Sequence, residues 1–174
     1  MKSQWLVAFV ALALAGGCAA AQAADSDIER GKYLVTLGGC NDCHTPGYFL
    51  GKPDFSRALS GSDVGFTIPG VGAFVGRNLT PDKETGLGDW TDDQIISAIT
   101  AGVRPDGRRL APIMPYQGLS HLTSDDAKAI VAYLRGLPPI KNAVPGPFGP
   151  KEVPSTLVFV IVPGDVSAKM LAPQ

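Results

Sequence analysis

Cys40-Asn41-Asp42-Cys43-His44 is the stretch on which the rest of the chain turns. Two thiols three positions apart, with a histidine immediately after them, are the arrangement used to attach a c-type haem covalently. Each sulfur can add across one haem vinyl group, and the imidazole of His44 then falls under the iron as its proximal ligand. The spacing matters because a tight turn must present two thiols to neighbouring vinyls while turning the next side chain inward. Two other chemistries use paired cysteines. A thioredoxin-type dithiol sits in a βαβ setting, and no such pattern surrounds residue 40. A structural zinc wants about four ligands, and the exported chain offers Cys40, Cys43, His44 and His121 alone.

The 174 residues suffice for one domain with a real core and are too few to expect two. Lys2 and the apolar run Trp5 to Ala15 read as the opening of a secretory signal, with Ala21-Gln22-Ala23 as the cleavage site. The expected organisation is therefore a signal peptide over 1–23, a haem-binding domain over 25–140 and a proline-rich extension over 141–174. The apolar run falls short of the ~20 residues that span a bilayer. Cys18 comes after Leu14-Ala15-Gly16-Gly17, a loose likeness of a lipoprotein cleavage box, so lipid attachment there stays open. Export suits the thiols, because an oxidising compartment is where they must be handled. The expected location is the periplasm. Lys and Arg number 15, Lys2 among them, against 16 Asp and Glu, which argues against nucleic acid as a partner.

Along the exported chain, Asp25 to Gly38 carries a helical pattern ended by Gly38-Gly39. Gly31 inside it is explicable if another helix crosses there. Residues 45–88 are rich in Gly and Pro, with extended pieces expected at Phe66 to Ile68 and Ala73 to Val75, joined as a hairpin through Pro69-Gly70. Thr91-Asp92-Asp93-Gln94 forms a capping box ahead of Ile95, Ile96, Ala98 and Ile99, and Gly102 stops that helix. Thr123 caps a second strong helix, Ser124 to Arg135, which Gly136 and Pro138-Pro139 are expected to end. Thr156 to Val162 is an apolar, β-branched run, read as a strand or extended segment on the domain.

A second iron ligand must come from a stiff loop. Met114 lies in Ala111-Pro112-Ile113-Met114-Pro115-Tyr116, where prolines restrict the backbone. The other methionine of the exported chain, Met170, sits at the terminus. His121, just before the Thr123 cap, is the competing ligand. Histidine with methionine leaves no open iron position and raises the reduction potential, which suits single-electron transfer rather than substrate activation. Trp90, Tyr116, Phe66 and Leu119 are candidate apolar walls, and Arg77 is a candidate partner for a haem propionate.

The order helix, Cys-x-x-Cys-His, long loop, helix, methionine loop, final helix resembles a class I c-type cytochrome. More narrowly, Gly31-Lys32-Tyr33-Leu34, Asn78-Leu79-Thr80-Pro81-Asp82, Thr85-Gly86-Leu87-Gly88, Trp90-Thr91, Met114-Pro115-Tyr116 and Ala132-Tyr133-Leu134 form a set similar to the cytochrome c subunits of periplasmic or membrane-bound dehydrogenases. The likeness covers about residues 28 to 140. It implies a mainly α fold of few short helices around one covalent haem c, with long Gly/Pro-rich loops and a short extended C-terminal segment. It puts Cys40, Cys43, His44 and Met114 on the haem-binding positions, with His44 and Met114 on the iron, and implies that the first and last helices cross at Gly31 and Tyr133. The chain holds one Cys-x-x-Cys-His, so relay between haems within it is excluded. The expected function is an electron carrier, not an enzyme, between a dehydrogenase and a further carrier or terminal oxidase. It would meet the membrane only through lipid on Cys18 or through a partner complex. The alternative is a haem protein whose methionine leaves the iron to admit a gas or peroxide, as sensor or catalyst.

Overall fold

The computed structural model describes residues 25–160, 162 and 164–165. The expected signal peptide over 1–23, Cys18 and Met170 lie outside these described residues. Two compact units interleave along the sequence. Among the described residues the first holds 25–38, Trp90–Arg109 and Tyr116–Leu137, and the second Gly39–Asp89, Leu110–Pro115 and the chain from Pro138 on. No described helix is long and apolar enough to cross a membrane.

The first unit is helical: α1 (residues 25–37), α3 (Asp92–Ala101), the short α4 (Tyr116–Leu119) and α5 (Ser124–Gly136). The capping box forms as expected. The Gln94 N–H donates to the Thr91 hydroxyl at 3.2 Å and the Thr91 N–H to Gln94 Oε1 at 2.9 Å. Gly102 ends α3 in the left-handed region (φ 67°), with the Tyr116 ring packed so closely that an added Cβ would lie 2.7 Å from it. Thr123 caps α5 through the Asp126 N–H at 3.1 Å. The far end of α5 departs from expectation. Gly136 is still helical, and the stop is Leu137 in an extended conformation (ψ 151°). Pro138 forces that, because its ring disfavours helical backbone in the residue before it. Arg135 fixes the end by donating to Asp92 Oδ1 at 3.0 Å and to the Trp90 carbonyl. Val35, Ile95, Ala98, Ala127, Ala129, Ile130, Val131 and Leu134 are the buried apolar side chains among the described residues here.

The second unit carries α2 (Cys40–His44) and a three-stranded sheet of order β2-β1-β3: β1 Val64–Ile68, β2 Gly72–Val75 and β3 Leu157–Val160. The expected hairpin is present, turning through Pro69-Gly70 with Phe66 opposite Phe74. The tail segment becomes a strand, and it pairs parallel with β1, Phe66 opposite Phe159. Phe66 stacks on Phe159 with ring centroids 5.5 Å apart, and Phe49 meets both edge-on. Polar groups knit the loops. Asn78 is buried, its amide donating to the Ile140 carbonyl at 2.7 Å and to Thr85 Oγ1 at 3.0 Å while its oxygen accepts from the Thr80 N–H at 2.9 Å. Each polar atom of that amide has a partner, as burial requires.

Candidate functional site

Gly39, left-handed at φ 64°, swings the chain from α1 straight into α2, whose five residues are the motif itself. Positions i, i+3 and i+4 of a helical turn share a face, so Cys40, Cys43 and His44 lie on one side of α2. The expected tight turn is one turn of helix.

Neighbouring loops hold the motif in place. Thr45 closes α2 with its N–H on the Asn41 carbonyl (3.1 Å); its hydroxyl donates to Asn41 Oδ1 (2.9 Å) and accepts from the Leu59 N–H (3.0 Å). Leu59 is wholly buried and left-handed (φ 60°), a costly conformation for leucine that its surroundings must enforce. The Leu79 N–H does so from the other side, donating to the Leu59 carbonyl at 2.8 Å. The Gly61 N–H donates to the His44 carbonyl at 2.8 Å. Gly76 backs directly onto the motif, where an added Cβ would lie 1.6 Å from the Cys43 carbonyl oxygen. Sequence reasoning missed Thr45, Leu59, Gly61 and Gly76. Only Thr45 adjoins the motif; Leu59, Gly61 and Gly76 lie 15, 17 and 32 residues past His44, where no local pattern ties them to it.

The imidazole of His44 is oriented by the main chain. Its Nδ1 lies 2.7 Å from the Arg77 carbonyl oxygen. A carbonyl can only accept, so Nδ1 carries the proton and Nε2 keeps its lone pair. Burial lowers the imidazole's pKa, with the backbone hydrogen bond opposing, and the neutral ring prevails at neutral pH. A neutral imidazole with its second nitrogen pinned to a carbonyl is the form that ligates metals.

Both thiols are free. Burial pushes Cys40 up to about 11 and raises Cys43, with the Asp42 carboxylate adding to the latter. A dithiol working by thiolate attack needs the opposite shift. Among the described residues no three His, Cys, Asp or Glu side chains gather to hold a metal ion, as a zinc centre would need. Thiol, thiol and imidazole on one helical face suit a porphyrin that is tethered twice and ligated once.

Met114 lies in the same unit as the motif, half-buried, with its N–H on the Ala111 carbonyl at 2.9 Å. His121 belongs to the other unit and is exposed. Of the candidate walls, Phe66 is committed to the sheet's aromatic cluster, Tyr116 covers Gly102, and Trp90 lies under the Arg104 guanidinium at 5.2 Å. Arg77 gives its carbonyl to His44 and turns its guanidinium to the Val144 and Gly146 carbonyls.

Comparison with known proteins points the same way. The sequence model of the family described as Cytochrome c matches residues 28–138. The chain is 35% identical over 123 residues to the gluconate 2-dehydrogenase cytochrome c subunit of Pantoea cypripedii, covering 70% of this chain and 26% of that one. It is 33% identical over 144 residues to the cytochrome c subunit of the quinone alcohol dehydrogenase of Gluconobacter oxydans, covering 80% of this chain and 28% of that one. A diheme c-type cytochrome of Cereibacter sphaeroides is 32% identical over 121 residues, 67% of this chain and 38% of the other. The chain thus spans about a quarter of the length of the two dehydrogenase subunits.

Proposed function

The chain belongs to the cytochrome c family, and from that premise we propose that it is a periplasmic single-electron carrier with one covalent haem, taking electrons from a dehydrogenase. Its haem would supply reversible one-electron exchange at the iron. Cys40 and Cys43 would hold that group through two thioether bonds, and His44 Nε2 would be its proximal ligand. Met114 Sδ would be the distal ligand, from a loop stiffened by Pro112 and Pro115. The thiol–thiol–imidazole face of α2, with Nδ1 tied to the Arg77 carbonyl, is the observation that carries this reading.

The relatives suggest the partners: three of them are cytochrome subunits of gluconate, alcohol and fructose dehydrogenases. We assign this chain the corresponding role: reduced by a dehydrogenase subunit, oxidised by a further carrier or a terminal oxidase. Contact would be small and transient. Membrane attachment would come from lipid on Cys18 or from the complex.

Met114→Ala in the holoprotein tests the assignment. The midpoint potential should fall, since a thioether ligand raises it, and the ferrous variant should bind carbon monoxide where the unsubstituted protein does not. An unchanged spectrum and potential would move the distal role to His121 or elsewhere. Prompt carbon monoxide binding by the unsubstituted protein at neutral pH would favour a sensor or catalyst. A colourless protein from a host able to mature cytochromes would end the haem reading.

A further inference from the structure

The family match stops at residue 138, yet the chain beyond it is joined to the motif by a continuous run of contacts inside one unit. The first link is the Nδ1–H of His44 on the Arg77 carbonyl at 2.7 Å. The Arg77 side chain supplies the second: Nη1 donates to the Val144 carbonyl at 2.5 Å and Nη2 to the Gly146 carbonyl. Two carbonyls flanking Pro145 thus share one guanidinium, a forked contact that lysine cannot reproduce.

The segment offering those carbonyls is itself fixed. The Ile140 N–H donates to Thr80 Oγ1 at 3.1 Å, and Asn142 donates from its main chain to Thr85 Oγ1 (2.9 Å) and from its amide to the Ser60 carbonyl (2.8 Å). Phe148 and Ala73 exchange both backbone bonds, at 2.9 and 3.0 Å. Val144 also reaches the second anchor of the histidine. Its Cγ2 occupies the space beside Gly61, 2.3 Å from where a Cβ there would stand, and the Gly61 N–H holds the His44 carbonyl. The tail therefore backs His44 twice, at its ring through Arg77 and at its main chain through Gly61.

We propose that Arg77 is a positioning residue for the proximal imidazole, held by residues 140–148, so that this extension outside the family match tunes the haem. The inference rests on the reading of His44 as axial ligand. A firm Nδ1–H···O=C bond strengthens the imidazole as a donor. A stronger donor favours ferric iron and holds the potential down. Loosening the Arg77 main chain weakens the bond and lets the potential rise.

Arg77→Lys keeps the positive charge and loses the fork. Pro145→Gly frees the backbone between the two acceptors and leaves charge and haem ligands untouched. Both are made in the full-length holoprotein, and the midpoint potential and the exchange rate of the His44 Nδ1 proton in the ferrous state are measured. In each variant the potential should move upward and the proton should exchange roughly tenfold faster, as loss of about one hydrogen bond implies. Unfolding at lower denaturant with potential and exchange unchanged would make Arg77 a stability residue and overturn the proposal; so would a downward shift. If Arg77→Lys fails to fold, Pro145→Gly decides alone. A holoprotein without imidazole on its iron would sink the axial-ligand reading and this inference together, and that failure is visible before any substitution is made.

Discussion

The carbonyl oxygen of Ala129 in α5 stands where a side chain on Gly31 would begin: a Cβ there would lie 1.9 Å from that oxygen and 2.8 Å from the Cβ of Tyr133. The helices α1 and α5 meet backbone to backbone at this point, and the Arg30–Asp126 ion pair (2.8 Å) bridges them beside it.

Gly31→Ala should therefore destabilise the protein even though alanine is the better helix former. Overpacking costs about 1–3 kcal/mol, and helix propensity returns at most about 1 kcal/mol. Because the obstacle is main chain, the loss should be near the upper end, about 2 kcal/mol net. Urea unfolding of the holoprotein measures it. A midpoint equal to or above that of the parent would mean that the helices tolerate a wider crossing.

Gly76→Ala sets a Cβ 1.6 Å from the Cys43 carbonyl. Neither side can yield without moving α2, so the thiols and His44 would be displaced together. The expected outcome is a large drop in the haem-to-protein ratio after maturation, read from absorbance. Normal loading would show that the motif has more freedom than this packing implies.

Thr45→Val is close in shape and removes one hydroxyl. The Leu59 N–H would lose its acceptor at a wholly buried, left-handed residue. An orphaned buried donor costs about 1–3 kcal/mol. Thr45→Ser, which retains the acceptor, should recover most of it. Equal unfolding midpoints for the valine and serine variants would remove the hydroxyl from the account.

The Arg30–Asp126 pair should show in acid. A hydrogen bond from the Arg30 guanidinium is the largest influence on the Asp126 carboxyl and holds it below its usual range. Folded Asp126 thus ionises at lower pH than in the unfolded chain. Its contribution is complete above the ordinary carboxylate value of about 3.9 and is lost as pH falls through its own lower value. The pair is exposed, so the effect is small. Thermal unfolding of the parent and of Asp126→Asn should differ at pH 7 and converge in strong acid. A gap that persists unchanged there would point to packing rather than charge.

Local signals in the sequence proved the most legible. Thr91 and Gln94 announced their reciprocal cap, and Pro69-Gly70 its turn, because both rest on neighbours a few residues apart. Gly31 was readable as a crossing point because glycine inside a helix invites a reason. Distant partnerships were not. The tail strand was expected as a strand, but nothing in Leu157–Val160 says that it pairs with β1. Arg77 is a candidate partner for a haem propionate on sequence grounds, but its two carbonyl partners, 67 and 69 residues further on, are invisible there. Gly136 was misjudged because the proline two residues later fixes the conformation that ends α5.

The parallel pairing of β1 with β3 makes the order of synthesis matter. Val64 waits for Leu157, 93 residues later, before its outer ladder is satisfied. Until then β1 presents unpaired amides and carbonyls, with Phe66 among them, which is a template for pairing with other molecules. A product cut short before Leu157 would keep that template permanently. Such fragments should self-associate, however intact their helices.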